Sequence, residues 1–91
     1  GVLLIRPSDG AVIASWDLAV NDAVPVPGGV AAVDREGTVH IGCIDGTKIK
    51  EVASAPSGAP IPIIQHVGDK LVVAGGTLNP IHVATFTNPC R

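Results

Sequence analysis

Methionine and tyrosine are absent from this 91-residue chain, and Trp16 and Phe86 are its only aromatic residues. One Trp without Tyr offers no platform on which sugars or single-stranded nucleic acid could stack. Charge is also scarce, with 6 basic and 8 acidic residues making 15% of the chain, against about a quarter in an ordinary soluble domain. A net charge of −2 leaves no basic face for phosphates, so nucleic acid is not an expected partner. Two cysteines are too few for a miniprotein held by a disulfide framework. No apolar run reaches the length of a membrane-spanning helix. The opening Val2-Leu3-Leu4-Ile5 is too short for a signal-peptide core and is followed at once by Arg6-Pro7-Ser8-Asp9. Asn21, Asn79 and Asn88 all lack the Asn-x-Ser/Thr signal, which leaves the compartment open. Without any Met the chain reads as lacking an N-terminal portion, and its last residue, Arg91, is what trypsin-like cleavage leaves.

What is present is apolar and heavily punctuated. Hydrophobic residues make up 46%, and 11 Gly and 8 Pro imply dense turns. A mean hydropathy of +0.44 is the opposite of the low-hydrophobicity, high-charge signature of disorder. The length allows one small domain, burying about 60–65% of the surface of its unfolded form. Apolar, β-branched runs of four to eight residues between turn residues are the strand pattern. They fall at Val2–Arg6, Ala11–Leu18, Val30–Asp34, Thr38–Cys43, Thr47–Ala53, Ile61–Val67, Lys70–Ala74 and Ile81–Thr87. Ala19–Gly29 and Ala53–Pro60 read as connectors. In Ala11–Leu18, alternation puts Val12, Ala14 and Trp16 on one face. The longest stretch free of Gly and Pro, Ala11–Val24, has Asn21-Asp22 where a helix would need apolar positions. The expected fold class is all-β.

The strands also repeat. The segment from Val24 and the segment from Ala59 both run as a proline-containing lead-in, strand, tight turn, strand, second turn and third strand. Val39-His40-Ile41-Gly42-Cys43 maps onto Leu71-Val72-Val73-Ala74-Gly75, 32 residues on, and Asp9-Gly10 lies 36 residues before Asp45-Gly46. Units of this length with frequent turns suit β-propeller blades, with a β-sandwich as runner-up. The expected organisation is one partial domain over 1–91, with the end of a preceding blade at 1–18 and blade-like repeats at 24–53 and 59–87. About two to two-and-a-half blades cannot close a ring. Other segments of the same precursor, or further copies of the chain, would then complete a larger or oligomeric propeller.

The wording "RPSDGAVIASWDL" followed by "AAVDREGTVHIGCIDGTKIKEV" resembles the repeats of the quinoprotein-type, PQQ-like β-propeller family. Val39–Gly46 is similar to that family's strand and Asp-Gly turn, and Asp9-Gly10 with Trp16 resembles the first part of its repeat. Trp16 stands two residues beyond the family's usual Trp position, which is Ala14 here. The family contains pyrroloquinoline-quinone dehydrogenases and many non-catalytic scaffolds. The enzymes' vicinal cysteine pair has no counterpart here, and no position matches their cofactor ligands. The resemblance therefore implies a scaffold more than an enzyme, and leans toward an extracytoplasmic or lumenal setting.

The candidate chemistry is thin. His40, His66 and His82 lack metal-ligand spacing and read as strand-face residues. Asp9, Asp34, Asp45 and Asp69 read as turn formers. Ser8, Ser15, Ser54 and Ser57 lack a nucleophile elbow, and Gly28-Gly29 and Gly75-Gly76 are not a phosphate-binding loop. Arg35, Lys48 and Lys50 are too few for a nucleic-acid face, and Trp16 reads as a packing residue. Cys43 and Cys90 admit an intrachain bridge, two free thiols, or an external partner for Cys90. No catalytic, cofactor or metal residues are assigned, and no cofactor is expected. The expected function is a non-catalytic scaffold or protein-interaction module, not membrane-spanning, binding protein or peptide by strand addition. The alternative is a fragment of a quinoprotein-like oxidoreductase with its catalytic residues elsewhere. A carbohydrate-binding domain is disfavoured by the single Trp.

Overall fold

Strands form where β-branched and small apolar residues run between Gly-, Pro- and Asp-containing turns. The computed structural model describes residues 1–56, 62–68, 70–75, 82–85 and 87–90, and these are strand, turn or irregular, with no helix among them. In chain order the strands are β1 (Val2–Ile5), β2 (Val12–Trp16), β3 (Asp22–Val26), β4 (Gly29–Val33), β5 (Thr38–Asp45), β6 (Lys48–Pro56), β7 (Pro62–Val67), β8 (Lys70–Gly75) and β9 (His82–Thr85). The all-β expectation holds.

Six strands form one sheet in the order β1-β2-β6-β5-β4-β3, and β7-β8-β9 form a second. Within the first, β3 to β6 run as four consecutive antiparallel strands. The antiparallel β1–β2 hairpin joins them through one parallel bridge, Ser15 to Lys48, supported by the Ser15 N–H donating to the Thr47 carbonyl at 3.1 Å. The six-stranded sheet curls into a nearly closed, barrel-like form.

Three local readings change. Ala19–Gly29 is not all connector, because Asp22–Val26 is strand β3, paired with β4 around a two-residue Pro27-Gly28 turn. Pro25 argues against a central strand, but β3 is an edge, where a missing N–H is tolerated. Gly28 takes a φ of 77°, which fits the third position of a type II turn after proline. Strand β6 extends to Pro56, into the region read as a second connector, because β5 pairs with it out to Thr38. Val12 leaves the buried face. Pairing steps from Leu4–Ala14 to Ile5–Val12 and skips Ile13, so this bulge turns Val12 outward beside Ile5.

The core is organised on β4, all five residues of which are buried. Val30 and Ala32 face the inside of the curl and cluster with Ala14, Trp16 and Ile49, with Val2, Leu4, Leu18, Val20 and Ala23 packed against them. Ala31 and Val33 face the other way and join Val26, Ile41, Ile64, Leu71 and Val73. Strand β7 is further stitched to β3 by the Ile64 backbone N–H donating to Asp22 Oδ2 at 2.9 Å. Trp16 is a core residue, as its sequence setting suggests, and it lies over the bare backbone of Gly42. A Cβ there would stand 2.9 Å from Trp16 Cη2 and closer still to Ile49 Cγ2.

Cys43 and Cys90 form a disulfide across a sequence separation of 47, which selects the intrachain alternative. It fastens the tail over the β3–β4 turn. Asn88 Nδ2 donates to the Pro27 carbonyl at 2.7 Å and the Cys90 N–H donates to Asn88 Oδ1 at 2.9 Å. A Cβ on Gly28 would come within 2.7 Å of the Cys90 carbonyl oxygen, so glycine serves there in both conformation and clearance.

Two outcomes are expected. Gly42→Ala should lower stability by about 1–3 kcal/mol through overpacking against Trp16 and Ile49, read as a lower urea midpoint with an unchanged slope. Replacing both cysteines by serine should cost about 4 kcal/mol by the loop-entropy relation for a loop of this length, read by the same titration against the oxidised protein.

Candidate functional site

Polar chemistry gathers at the turn that leaves β4. His40 on β5 pairs with Ala32 on β4 and with Ser54 on β6, and paired residues share a sheet face. Asp34 lies two residues beyond Ala32 and so projects to the same side. Glu51 reaches that side through an irregularity. Pairing steps from Ile41–Ala53 to Gly42–Glu51, so Val52 is the extra residue of a β-bulge and Glu51, not Val52, stands opposite Gly42.

The three side chains meet. His40 Nε2 lies 2.8 Å from Asp34 Oδ2, and His40 Nδ1 lies 2.5 Å from Glu51 Oε1. Asp34 is also the turn former expected of it, since its Oδ1 accepts the Glu36 and Thr38 N–H groups at 3.0 and 2.9 Å. Burial alone would push the His40 imidazole down; the hydrogen bonds to Asp34 and Glu51, with their charges, outweigh it and hold the group above its ordinary 6.5. The hydrogen bond from His40 chiefly lowers the Asp34 carboxyl below its ordinary 3.8; burial opposes this, and the turn N–H groups add to the lowering. With both ring nitrogens engaged by carboxylates, the imidazole has no free nitrogen to take a proton from a substrate. Ser54 faces it across the strand pair without a hydrogen bond to it, so there is no nucleophile–base pair.

The second feature is an apolar slot. The curl brings the two outer strands of the sheet, β1 and β3, to opposite sides of a cavity of about 260 Å³, lined by Val2 to Ile5, Ala23, Val24, Pro25 and Val30. Among the described residues neither strand has a partner on that side, so half of the β1 backbone donors and acceptors find no strand partner among them there. Strand β1 carries no charge and no proline, whereas Pro25 removes a donor from β3. The outer face of the hairpin is apolar as well, with Leu3 60%, Ile5 52% and Val12 55% exposed.

The other flagged residues that the structure describes fall at separate places in the fold. His66 lies on β7 opposite Leu71, and His82 on β9 opposite Val73, both in the smaller sheet. No group of three or more His, Cys, Asp or Glu suited to a metal occurs among the described residues. Asp9 holds its hairpin by accepting the Ala11 N–H at 3.0 Å and pairing with Arg6 at 3.1 Å. Asp45 ends β5 beside Gly46. Ser8, Arg35, Lys48 and Lys50 are exposed, Ser15 is half-buried at the β2–β6 bridge, and Gly28-Gly29 lie under Cys90. Ser57, Asp69 and Gly76 lie outside the described residues. No helix of the described residues is long and apolar enough to cross a membrane. Glu51 and the β1–β3 slot went unseen in the sequence. The only available signal was a lone acidic residue in an otherwise strand-like run. Comparison with protein-family models, curated proteins and solved structures finds no match.

The carboxylate-bracketed histidine dictates a pH dependence. A raised His40 pKa stabilises fully below 6.5 and is lost as pH rises through the folded value. A lowered Asp34 pKa stabilises fully above 3.8 and is lost as pH falls through the folded value. The difference in urea midpoint between the native chain and His40→Gln should therefore be greatest between about pH 4 and 6.5 and shrink on either side. A difference that is constant with pH would contradict the assignment.

Proposed function

We propose that the chain is a non-catalytic protein-interaction module that takes an extended, apolar peptide segment by strand addition along β1. The observation that carries this reading is the slot itself, where an uncharged edge strand, without a strand partner on that side among the described residues, lines an apolar cavity. Edge strands that stay unpaired in a folded protein are usually blunted by charge, proline or a covering element, and β1 has neither charge nor proline. Main-chain hydrogen bonds would supply affinity, and the alternate side chains Leu3 and Ile5 the selectivity. The absence of a free base or a paired nucleophile at His40 also favours a scaffold over an enzyme.

The partner on this reading is a protein or peptide strand, from another segment of the same precursor, a further copy of the chain, or an unrelated protein. The propeller-type repeat belongs to the same proposal. Its support is the 32-residue spacing, the consecutive antiparallel strands β3 to β6, and the shorter run β7 to β9. The disulfide fits the oxidising, extracytoplasmic setting that the resemblance implies.

The test uses a synthetic peptide of alternating valine and threonine, flanked by lysines, titrated against the isotope-labelled chain. Amide shift changes and added exchange protection should centre on Val2–Ile5. Leu3→Lys with Ile5→Lys, both at exposed positions, should weaken binding by about tenfold or more through charge on the edge. Shifts that spare β1, or no binding at millimolar peptide, would reject the proposal.

A further inference from the structure

We infer that Asp34, His40 and Glu51 form a proton-operated clasp: the doubly protonated imidazole pins β6 to the β4–β5 turn, and loss of one ring proton releases Glu51 and loosens β6 beyond its bulge. Hydrogen-bond capacity sets the behaviour of the cluster. An imidazolium has two N–H donors, one for each carboxylate, whereas a neutral imidazole keeps one donor and turns a lone pair toward the other oxygen. At 2.8 and 2.5 Å a lone pair facing a carboxylate is repulsive, so deprotonation cannot leave both contacts in place. The proton goes to water, both carboxylates stay ionised, and the net charge of the three groups falls from −1 to −2.

Which contact gives way follows from how each carboxylate is held. Asp34 is 18% exposed and fixed by two further backbone N–H groups. Glu51 is 42% exposed and makes no other hydrogen bond among the described residues, so Glu51 leaves. Among the described residues, the ionisable groups that face His40 are those two. From β4 comes Ala32, and from β6 the hydroxyl of Ser54. Lys50 pairs with Cys43 on the opposite face, while Arg35 and Glu36 are exposed with no side-chain bond to the ring. Beyond Val52 the strand is exposed and paired only with β5, since the bridge to β2 lies at its other end. Release of Glu51 therefore removes the one side-chain tie, among the described residues, that this half of β6 has to the turn. The raised His40 pKa is the equilibrium counterpart of the same bracketing.

The experiment follows the His40 ring nitrogens by NMR across pH 5 to 9, together with amide protection factors corrected for intrinsic exchange. Protection of Val52, Ala53 and Ala55 should fall by about tenfold through the His40 titration, the factor expected for losing one charge-assisted hydrogen bond. Protection at Ala31 and Ala32 should not move. In Glu51→Gln the step in β6 should disappear and the His40 midpoint should drop. Should the variant fail to fold, the native chain decides alone. Flat β6 protection through the titration, or a step confined to Glu36 and Thr38, would overturn the clasp, as would a β6 step that persists in Glu51→Gln.

Discussion

Strand β4 has no face left for water, and the rest of the fold is arranged around that fact. A strand buried on both sides needs apolar cover above and below, and here the two covers come from different parts of the chain. Inside the curl, Trp16, Ala14 and Ile49 close over Val30 and Ala32. Outside it, Ile64, Leu71 and Val73 of the smaller sheet close over Ala31 and Val33. The two central alanines follow from the geometry, because a large side chain in the middle of β4 would push one layer away. Gly42 on the neighbouring strand serves the same end by letting the indole approach the backbone. The thin charge of the composition follows too, since a small chain that buries one strand on both faces has little room for ionised groups in its sheets.

The same strand sets out the functional features. At its start, Val30 forms part of the slot between β1 and β3, and just past its end Asp34 makes the turn and grips His40. Closure of the barrel is left to weaker links. One parallel bridge joins β2 to β6, and between β1 and β3 no pairing exists. A six-stranded curl that stops short of closing keeps two edges, β1 without charge or proline and β3 with Asp22 and Pro25. The disulfide acts at the far end of β3, holding the tail against the Pro27-Gly28 turn, so that one of those two edges is fixed in place.

Some of this was readable from residues. The runs around Val30–Val33, Val39–Ile44 and Leu71–Ala74 are β-branched or small and bounded by Gly and Asp, and they are strands. Trp16 in an alternating run is buried, and Asp9 and Asp34 make the turns their neighbours indicate. Strand β3 was harder to see, because Pro25 is unfavourable in a paired strand and acceptable only at an edge, and edge position is a property of the sheet. Val12 and Glu51 were misread or missed for a shared reason. Strict alternation fails at a bulge, and the bulges at Ile13 and Val52 have no residue signature in those runs.

The all-β class, most of the turns and the scarcity of ionisable chemistry are legible in the residues alone, because strand propensity, turn geometry and composition are local properties. The meeting of Cys43 with Cys90, the incomplete curl of the sheet and the convergence of Asp34, His40 and Glu51 belong to the assembled fold. Each of these depends on pairing register between segments far apart in the chain. A shift of one residue in that register moves a side chain to the opposite face of the sheet, and nothing local in the sequence fixes it.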